Sequence, residues 1–378
     1  MRTYQVCKRC IMDTTDPEIV FDEDGICNHC KAVDSFYRTL PSVESREEKL
    51  RLLLDTIKKE RTGKYDCVVG VSGGLDSTYV IHYLRENGIN PLAVHVDNGW
   101  NSEVSNHNLQ KVIKKLKVDL ETVVLEWELF RDLQLSFLKA SIPDLEIPTD
   151  HSLRAVIYRV AKKNGLKYIF NGTNFNTESI LPRSWSRSQS DWLLIKSIYK
   201  QFGSGLNLSH YPHSSLWNIL LDGFSGFVRV SLLDNINYNK SMAITEMSER
   251  YGWEYYGSKH FESVYTRFFQ GYILPEKFGI DKRRAHLSSL ICSGEMTREK
   301  ALEEVSKKTY LDEKMLIEDT NLFKVKLGLT DKEFKYLISL PNKSTNSYPN
   351  YENTFPYRYF YSAYRNFIVK KNKKRAIL

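Results

Sequence analysis

No uninterrupted apolar run in the sequence is long enough to suggest a membrane span. The most hydrophobic stretch, residues 214–233, is interrupted by Asp222 and Arg229 and contains several serines and glycines. A span needs about 20 mostly apolar residues, so we interpret this stretch as buried structure or an interface. The first residues, MRTYQVCKRC, also lack the apolar core of a secretory signal, and we expect a cytoplasmic protein.

Internal repeats and strong compositional bias are also missing. The 378 residues are 42% hydrophobic and 26% charged, which excludes a disordered chain, a collagen and a simple coiled coil. A chain of this length predicts roughly two or three domains with a sizeable core. The formal net charge of +8 favours a polyanionic partner, for which nucleotides, pyrophosphate and RNA all qualify.

Cysteine is sparse outside the N-terminal region. Four of the six cysteines form two CxxC pairs, namely Cys7 with Cys10 and Cys27 with Cys30. Disulfides are not expected in a chain without an export signal, and paired CxxC turns provide the tetrahedral thiolate shell of a structural zinc site. An iron–sulfur cluster is the main alternative, because four thiolates also suit iron.

Strands and helices alternate after a linking helix at residues 45–60, whose leucines lie at helical spacing. Short apolar runs separated by helical stretches predict right-handed βαβ units around a parallel sheet. These runs occupy residues 66–71, 91–96, 121–125 and 167–171. The alternation fades between residues 182 and 240, where a substrate cover, a partner-docking surface and irregular core packing all remain open. Beyond residue 281 the chain is predicted to be mainly helical, with a basic tail.

The sequence SGGLDS, residues 72–77, lies between the first predicted strand and its helix. Small residues allow a sharp turn whose backbone N–H groups point outward, and the helix N-terminus favours an anion there. No GxxxxGK[ST] motif is present, so the Walker-type lysine is missing. Asp76 instead offers a ligand for a magnesium ion that bridges phosphate oxygens. An ordinary strand–helix turn is the simpler alternative.

Residues 64–176 resemble the PP-loop ATP pyrophosphatase superfamily in the order of their motifs. The resemblance implies a Rossmann-like sheet and an enzyme that adenylylates its substrate and releases pyrophosphate. It also assigns the β,γ-pyrophosphate of ATP to the residues that match the family's loop. These residues are Ser72, Gly73, Gly74, Asp76 and Ser77.

Two further segments match the family at the ends of predicted strands. His95 begins HVDNG, in which Val96 and Asp97 correspond to the strand end that meets the adenine. The second segment is NGTN at residues 171–174. There Gly172 and Thr173 match a Gly-Thr element, and the nearby Glu178 is a candidate second magnesium ligand.

A basic and aromatic segment at residues 259–284 could supply a cation for the developing charge on pyrophosphate. We expect Arg267 and Lys282 to have this role, whereas a solvated basic face accounts for most of the others. The basic residues of this segment are Lys259, His260, Arg267, Lys277, Lys282, Arg283 and Arg284.

The whole chain is similar to the N-acetyl sugar amidotransferases of lipopolysaccharide O-antigen and flagellar-glycan biosynthesis. The similarity lies in the paired CxxC before SGGLDST, in HVDNGW and NGTN, and in IDKRRAHLS at residues 280–288. It implies that ATP activates the acetamido oxygen of a nucleotide-linked sugar and that ammonia then replaces it. No glutaminase motif surrounds Cys67 or Cys292, so the ammonia is expected to come from a separate glutaminase, as the resemblance implies, or from free ammonium.

The resulting prediction has five parts and three cofactors, ATP, Mg²⁺ and Zn²⁺. The parts are a zinc knuckle at 1–35, a linking helix at 36–63, a PP-loop core at 64–181, an insertion with the substrate or partner region at 182–290, and a helical region with a basic tail at 291–378. A tRNA-thiolating PP-loop enzyme is the alternative, since it explains the charge, the tail and the knuckle. Thiolation needs reactive sulfur, however, and Cys67 and Cys292 are expected to be structural.

Overall fold

The computed structural model describes residues 3–186, 189–257, 261–310 and 312–363. Its centre is a five-stranded sheet in which every neighbouring pair of strands is parallel, in the order β3-β2-β1-β4-β5. The strands are β1 (Cys67–Gly70), β2 (Pro91–Asp97), β3 (Asp119–Val124), β4 (Tyr168–Asn171) and β5 (Val228–Ser231). The predicted α/β class with a parallel sheet is therefore confirmed.

Helices cover both faces of the sheet and form most of the C-terminal region. Before β5 they are α1 (Asn28–Tyr37), α2 (Val43–Lys59), α3 (Leu75–Glu86), α4 (Glu103–Leu116), α5 (Trp127–Ala140), α6 (Ile147–Lys163), α7 (Phe175–Glu178), α8 (Trp192–Phe202) and α9 (Leu216–Phe224). After β5 they are α10 (Lys240–Tyr251), α11 (Val264–Phe268), a π-helix (Phe269–Phe278), α12 (Arg283–Cys292), α13 (Arg298–Ser306), α14 (Glu313–Leu327) and α15 (Asp331–Ser339). Within the described part of the chain, none of these helices has the length and hydropathy needed to cross a bilayer.

The strands β1, β2 and β4 each contribute buried side chains to two separate cores, because successive side chains point to opposite faces of the sheet. Val68 of β1 pairs with Ile169 of β4, and both belong to the core that includes α5, α6 and α8. The next residue pair, Val69 with Phe170, faces the core formed with α2, α3, α4 and α10. Cys67 is fully buried in this second core, which confirms its predicted structural role.

The strand order places a topological switch between β1 and β4. From β1 the chain forms β2 and then β3 on one side of that strand. It then returns to form β4 and β5 on the other side of β1. Connections leave the carboxyl ends of β1 and β4 in opposite directions, which opens a crevice where α/β proteins bind ligands. The segments 72–77 and 171–174 both lie at this crevice.

The insertion contains a strand and helices that the sequence pattern did not predict. The strand β5 has four residues, extends the sheet beside β4, and is preceded by α8 and α9. A strand this short leaves too few residues for a recognisable alternation. The division of the chain into five parts remains a prediction. The N-terminal cysteines belong to the same core as α5, on one face of the sheet.

Candidate active site

The loop after β1 is closed by hydrogen bonds between its own serines. The Ser72 N–H donates to Ser77 Oγ at 3.3 Å, and the Gly74 N–H donates to Ser72 Oγ at 3.3 Å. Gly73 has a φ of 83°, and a Cβ at this position would lie 2.3 Å from the carbonyl oxygen of Ser105. The loop therefore needs glycine here for both its conformation and its packing against α4.

Asp76 lies in the first turn of α3, where its carboxylate accepts a hydrogen bond from the Tyr238 hydroxyl at 2.6 Å. Burial, together with the nearby Asp76 charge, raises the pKa of Tyr238, so this hydroxyl stays protonated as a donor. The carboxylate is thus held in one orientation at the helix N-terminus. Its position suits a ligand of a magnesium ion bound to phosphate.

The end of β4 approaches this loop closely. A Cβ on Gly172 would lie 2.9 Å from the backbone nitrogen of Ser77, so only glycine fits at this contact. A cavity of about 230 Å³ lies between the two segments. The predicted residues that line it are Ser72, Gly74, Asp76, Ser77, Gly172, Thr173 and Glu178.

Residues that were not predicted from the sequence complete the wall of this cavity, which is the smaller of two at the site. Lys240, at the start of α10, is a cation that lines it, and Tyr256 and Glu262 line it as well. Trp253 also lines the cavity and donates from Nε1 to the Gly73 carbonyl at 3.3 Å. Burial raises the pKa of Tyr256, with the Glu262 carboxylate as a second cause. No local sequence signal marks these residues, because only the return of the chain after β5 brings them to the loop.

A larger cavity of about 480 Å³ adjoins the first and shares Ser72, Glu178 and Glu262 with it. His95 and Val96 line it from the end of β2, and the assignment of Val96 to the adenine side stays a prediction. Asp97 instead accepts a hydrogen bond from the Gly99 N–H at 2.9 Å, which stabilises the turn after β2.

Lys282 lines the larger cavity among three carboxylates, those of Asp144, Glu146 and Asp150. Its ammonium lies 3.5 Å from a carboxylate oxygen of Glu146. Burial alone would lower the pKa of Lys282, but the three carboxylates outweigh it and the pKa is raised. Burial and the neighbouring carboxylates raise the pKa of Asp150 well above its ordinary value. This wall of the larger cavity is therefore polar, with a lysine set among carboxylates.

Arg267 is not brought to either cavity. Its guanidinium donates two hydrogen bonds to Asp319, at 2.6 and 2.7 Å, and Asp319 also accepts one from Tyr310 at 2.7 Å. These contacts favour a structural role for Arg267, and a catalytic role remains a prediction without support from its position. Lys259 and His260 lie outside the described residues.

The other basic residues of the segment have protein partners. Lys277 donates to the carbonyls of Ile338 and Leu340, and Arg283 pairs with Asp281. Arg283 is nevertheless part of the lining of the larger cavity. A solvated face was expected for most of these residues, but these contacts bind them into the C-terminal region.

The four N-terminal cysteines come together as predicted. All are buried, and their sulfur atoms lie within 4.8 Å of one another. Sγ–Sγ distances of 3.9 Å for Cys7 with Cys30 and 3.7 Å for Cys10 with Cys27 fit one metal ion, since tetrahedral zinc at about 2.3 Å places its sulfurs about 3.8 Å apart. The donor set is therefore compatible with zinc.

Cys292 is not isolated in the fold, contrary to what its position in the sequence suggested. Its sulfur lies 3.8 Å from that of Cys30, across a separation of 262 residues. A fifth thiol therefore adjoins the four-cysteine cluster, and no signal in the sequence marks this contact.

Two family models match this chain, and both matched regions contribute residues to the larger cavity. Residues 66–172 match the queuosine biosynthesis protein QueC family. Residues 262–364 match the C-terminal domain of the family described as LPS biosynthesis protein WbpG-like. The two matches do not overlap.

Single proteins give weaker similarities. An uncharacterized protein of Methanocaldococcus jannaschii is 30% identical over 172 residues, which cover 44% of this chain and 58% of that protein. The structure of NMN synthetase from Francisella tularensis is 14% identical with a TM-score of 0.36, over 77% of this chain and 98% of the other. The NH3-dependent NAD synthetase from Campylobacter jejuni is 15% identical with a TM-score of 0.29, over 56% and 94%.

Proposed function

We propose that this chain is an ATP-dependent amidotransferase for a nucleotide-linked N-acetyl sugar, because it combines a QueC-like PP-loop region with a WbpG-like C-terminal region. The observation that carries the proposal is the larger cavity, which both matched regions line. The PP-loop region contributes Ser72 and Val96, whereas the WbpG-like region contributes Thr266, Gln270 and His286. An acceptor bound there would face ATP at the loop of residues 72–77.

The proposed reaction has two steps. In the first, the acetamido oxygen attacks the α-phosphorus of ATP, pyrophosphate leaves, and the amide nitrogen loses its proton to give an O-adenylyl imidate. In the second, ammonia adds to the imidate carbon and AMP leaves with the former amide oxygen. The acceptor gains an acetamidino group, and its oxygen departs in AMP. An amide oxygen is a poor leaving group, and adenylylation removes this obstacle.

The chain's own residues would mainly bind and orient the reactants. The loop N–H groups and Ser77 would hold the β,γ-pyrophosphate, and Lys240 would neutralise charge on it. Asp76 and Glu178 both line the smaller cavity and are the proposed magnesium ligands. A magnesium ion held by these two carboxylates would supply positive charge that stabilises the departing pyrophosphate. Lys282, initially expected at the pyrophosphate, is proposed to face the acceptor instead.

The proposed partner is a separate glutaminase that supplies ammonia, and the proposed setting is cytoplasmic lipopolysaccharide O-antigen or flagellar glycan biosynthesis. The insertion is the proposed docking region. Its helix α9 supports this role with three exposed apolar side chains, those of Trp217, Leu221 and Phe224.

Thiolation of tRNA has less support than nitrogen transfer. Among the described residues, no cysteine lines either cavity. Cys67 is fully buried in the sheet core, and Cys292 lies beside Cys30. A persulfide carrier would need a thiol that can reach the adenylylated base.

An isotope experiment tests the proposal. The full chain is incubated with Mg-ATP, ammonium and a UDP-linked diacetamido sugar whose acetamido oxygens are ¹⁸O. We expect ¹⁸O in AMP, an equal amount of pyrophosphate, and a sugar with an amidine group. Formation of ADP and phosphate would reject the mechanism. AMP without the label would exclude attack by the amide oxygen, and AMP formed only with tRNA and a sulfur donor would favour thiolation.

A further inference from the structure

One face of α12 is bound to the four-cysteine knuckle. The Ile11 N–H donates to Ser288 Oγ at 3.2 Å, and Arg284 donates to the Ile11 carbonyl at 2.9 Å. The same guanidinium pairs with Asp13 at 3.0 Å, and this carboxylate is 1% exposed. At the end of the helix, Cys292 lies 3.8 Å from Cys30. These contacts join α12 to the backbone around Cys10 and to the cluster itself.

The opposite side of α12 reaches the candidate active site. His286 lines the larger cavity, and its Nδ1–H donates to the carbonyl of Thr177 in α7 at 2.8 Å. The Ile180 N–H, just beyond α7, donates to Ser289 Oγ at 3.0 Å. Thr177 immediately precedes Glu178, which lines both cavities. The position of Glu178 therefore depends on α12.

A second connection runs from the knuckle through α1, which begins directly after Cys27. The Tyr37 hydroxyl donates to Asn176 Oδ1 at 2.8 Å. The ring centroids of Phe36 and Phe175 lie 3.8 Å apart. The four-residue helix α7 is thus held on one side by α1 and on another by α12. A helix this short has little stability of its own and takes its position from such contacts.

We infer that the four-cysteine knuckle is a positioning element of the active site, which fixes α7 and α12 and thereby Glu178 and His286. Small thiolate-bound modules fold only when the metal is bound, because they have almost no core of their own. Loss of the metal would release the contacts at Ile11 and Asp13. The part of the cavity wall that α7 and α12 form would then become less ordered. The sheet and the loop of residues 72–77 would stay folded, because they pack in the core formed with α2, α3, α4 and α10.

Hydrogen exchange on the full chain tests this inference without relying on catalysis. Exchange is compared before and after removal of the metal with a chelator. We expect amides of α7 and α12 to exchange about tenfold faster after removal, whereas β1 and β2 stay unchanged. Unchanged protection of α7 and α12 in a metal-free chain would overturn the inference. An equal loss of protection in β1 and β2 would also overturn it, because the knuckle would then support the whole fold.

A variant that leaves all four cysteines in place separates positioning from metal loss. Arg284→Ala removes the contacts of this guanidinium with Ile11, Asp13 and Tyr4, and Arg250→Ala is the control, because it removes exposed ion pairs to Glu86 and Glu246 on α3 and α10. We expect only Arg284→Ala to speed exchange in α7 and to weaken magnesium-dependent ATP binding about tenfold, with magnesium-free binding unchanged. Equal losses with and without magnesium, or equal effects of the two variants, would overturn the positioning role.

Discussion

The hydroxyl of Tyr238 donates a hydrogen bond to Asp76, with 2.6 Å between the two oxygens. Tyr238 follows β5, so it comes from the insertion, whereas Asp76 belongs to the first turn of α3. The contact fixes the carboxylate that the loop motif identified, and the donor comes from a segment whose role the sequence left open. The insertion therefore contributes to the candidate active site through the hydroxyl of Tyr238.

We expect Asp76→Asn to lower kcat for pyrophosphate release by about 10²–10³-fold, as is typical when a preorganised electrostatic contact is lost. An amide cannot replace an ionised carboxylate as a magnesium ligand. Tyr238→Phe is the comparison, because it keeps the carboxylate and removes one hydrogen bond to a charged group, for an expected loss of about tenfold. Release of pyrophosphate and thermal unfolding are measured together. An Asp76→Asn protein with full activity would contradict the magnesium role.

Lys240 and Arg267 are expected to respond differently to substitution. Lys240 lines the smaller cavity, so Lys240→Ala should lower kcat about 10²-fold with little change in stability. The side chains of Arg267 and Asp319 are 13% and 5% exposed. Removing one partner of a buried pair leaves the other charge uncompensated, so Arg267→Ala should lower the free energy of unfolding by about 3 kcal/mol.

Urea unfolding and steady-state kinetics of the two variants check this difference. Replacing Arg267 and Asp319 together by apolar residues should cost less stability than Arg267→Ala alone, because no unpaired charge remains. A stable Arg267→Ala protein without activity would restore the catalytic role predicted from the sequence. A Lys240→Ala protein with normal kcat would remove Lys240 from the mechanism.

The sequence predicted the parts of the site that depend on neighbouring residues. The loop of residues 72–77 and the segment 171–174 each follow a buried strand, and a parallel sheet brings such ends to one edge. Lys240 could not be predicted, since the chain must first form β5 and then return to the loop. The ion pair of Arg267 was hidden for a similar reason, because Asp319 lies 52 residues away on α14. Charge in a segment does not reveal which partner neutralises it.

Metal content should depend on Cys30 and not on Cys292, although their sulfurs are 3.8 Å apart. The four-cysteine set already provides a complete tetrahedral shell, so Cys292→Ser should retain the metal ion and Cys30→Ser should lose it. Metal analysis by mass spectrometry measures the metal content of both variants and separates zinc from iron. Iron together with visible absorbance would indicate an iron–sulfur cluster instead of zinc. Loss of the metal in Cys292→Ser would make the fifth thiol a ligand.

The buried, neutral imidazole of His151 leads us to expect a loss of folding stability at acidic pH. Its Nδ1–H donates to the Gln189 carbonyl at 2.7 Å, and its Nε2 accepts from the Ser214 N–H at 3.0 Å, so the fold holds the neutral imidazole. Burial lowers the pKa of His151 from 6.5 to about 4. The unfolded chain therefore binds a proton that the folded chain does not bind between these values. This contribution is fully present above pH 6.5 and falls as the pH decreases toward 4, by about 3 kcal/mol in total.

The variant His151→Gln isolates this contribution, because glutamine does not titrate and offers both a donor and an acceptor. Urea unfolding followed by tryptophan fluorescence gives the free energy of unfolding at several pH values between 6.5 and 4. We expect the wild-type protein to lose stability more steeply than His151→Gln over this interval. The exposed His210 supplies the control, since His210→Gln should keep the wild-type slope. Equal slopes for the wild type and His151→Gln would show that a different group causes the acid sensitivity.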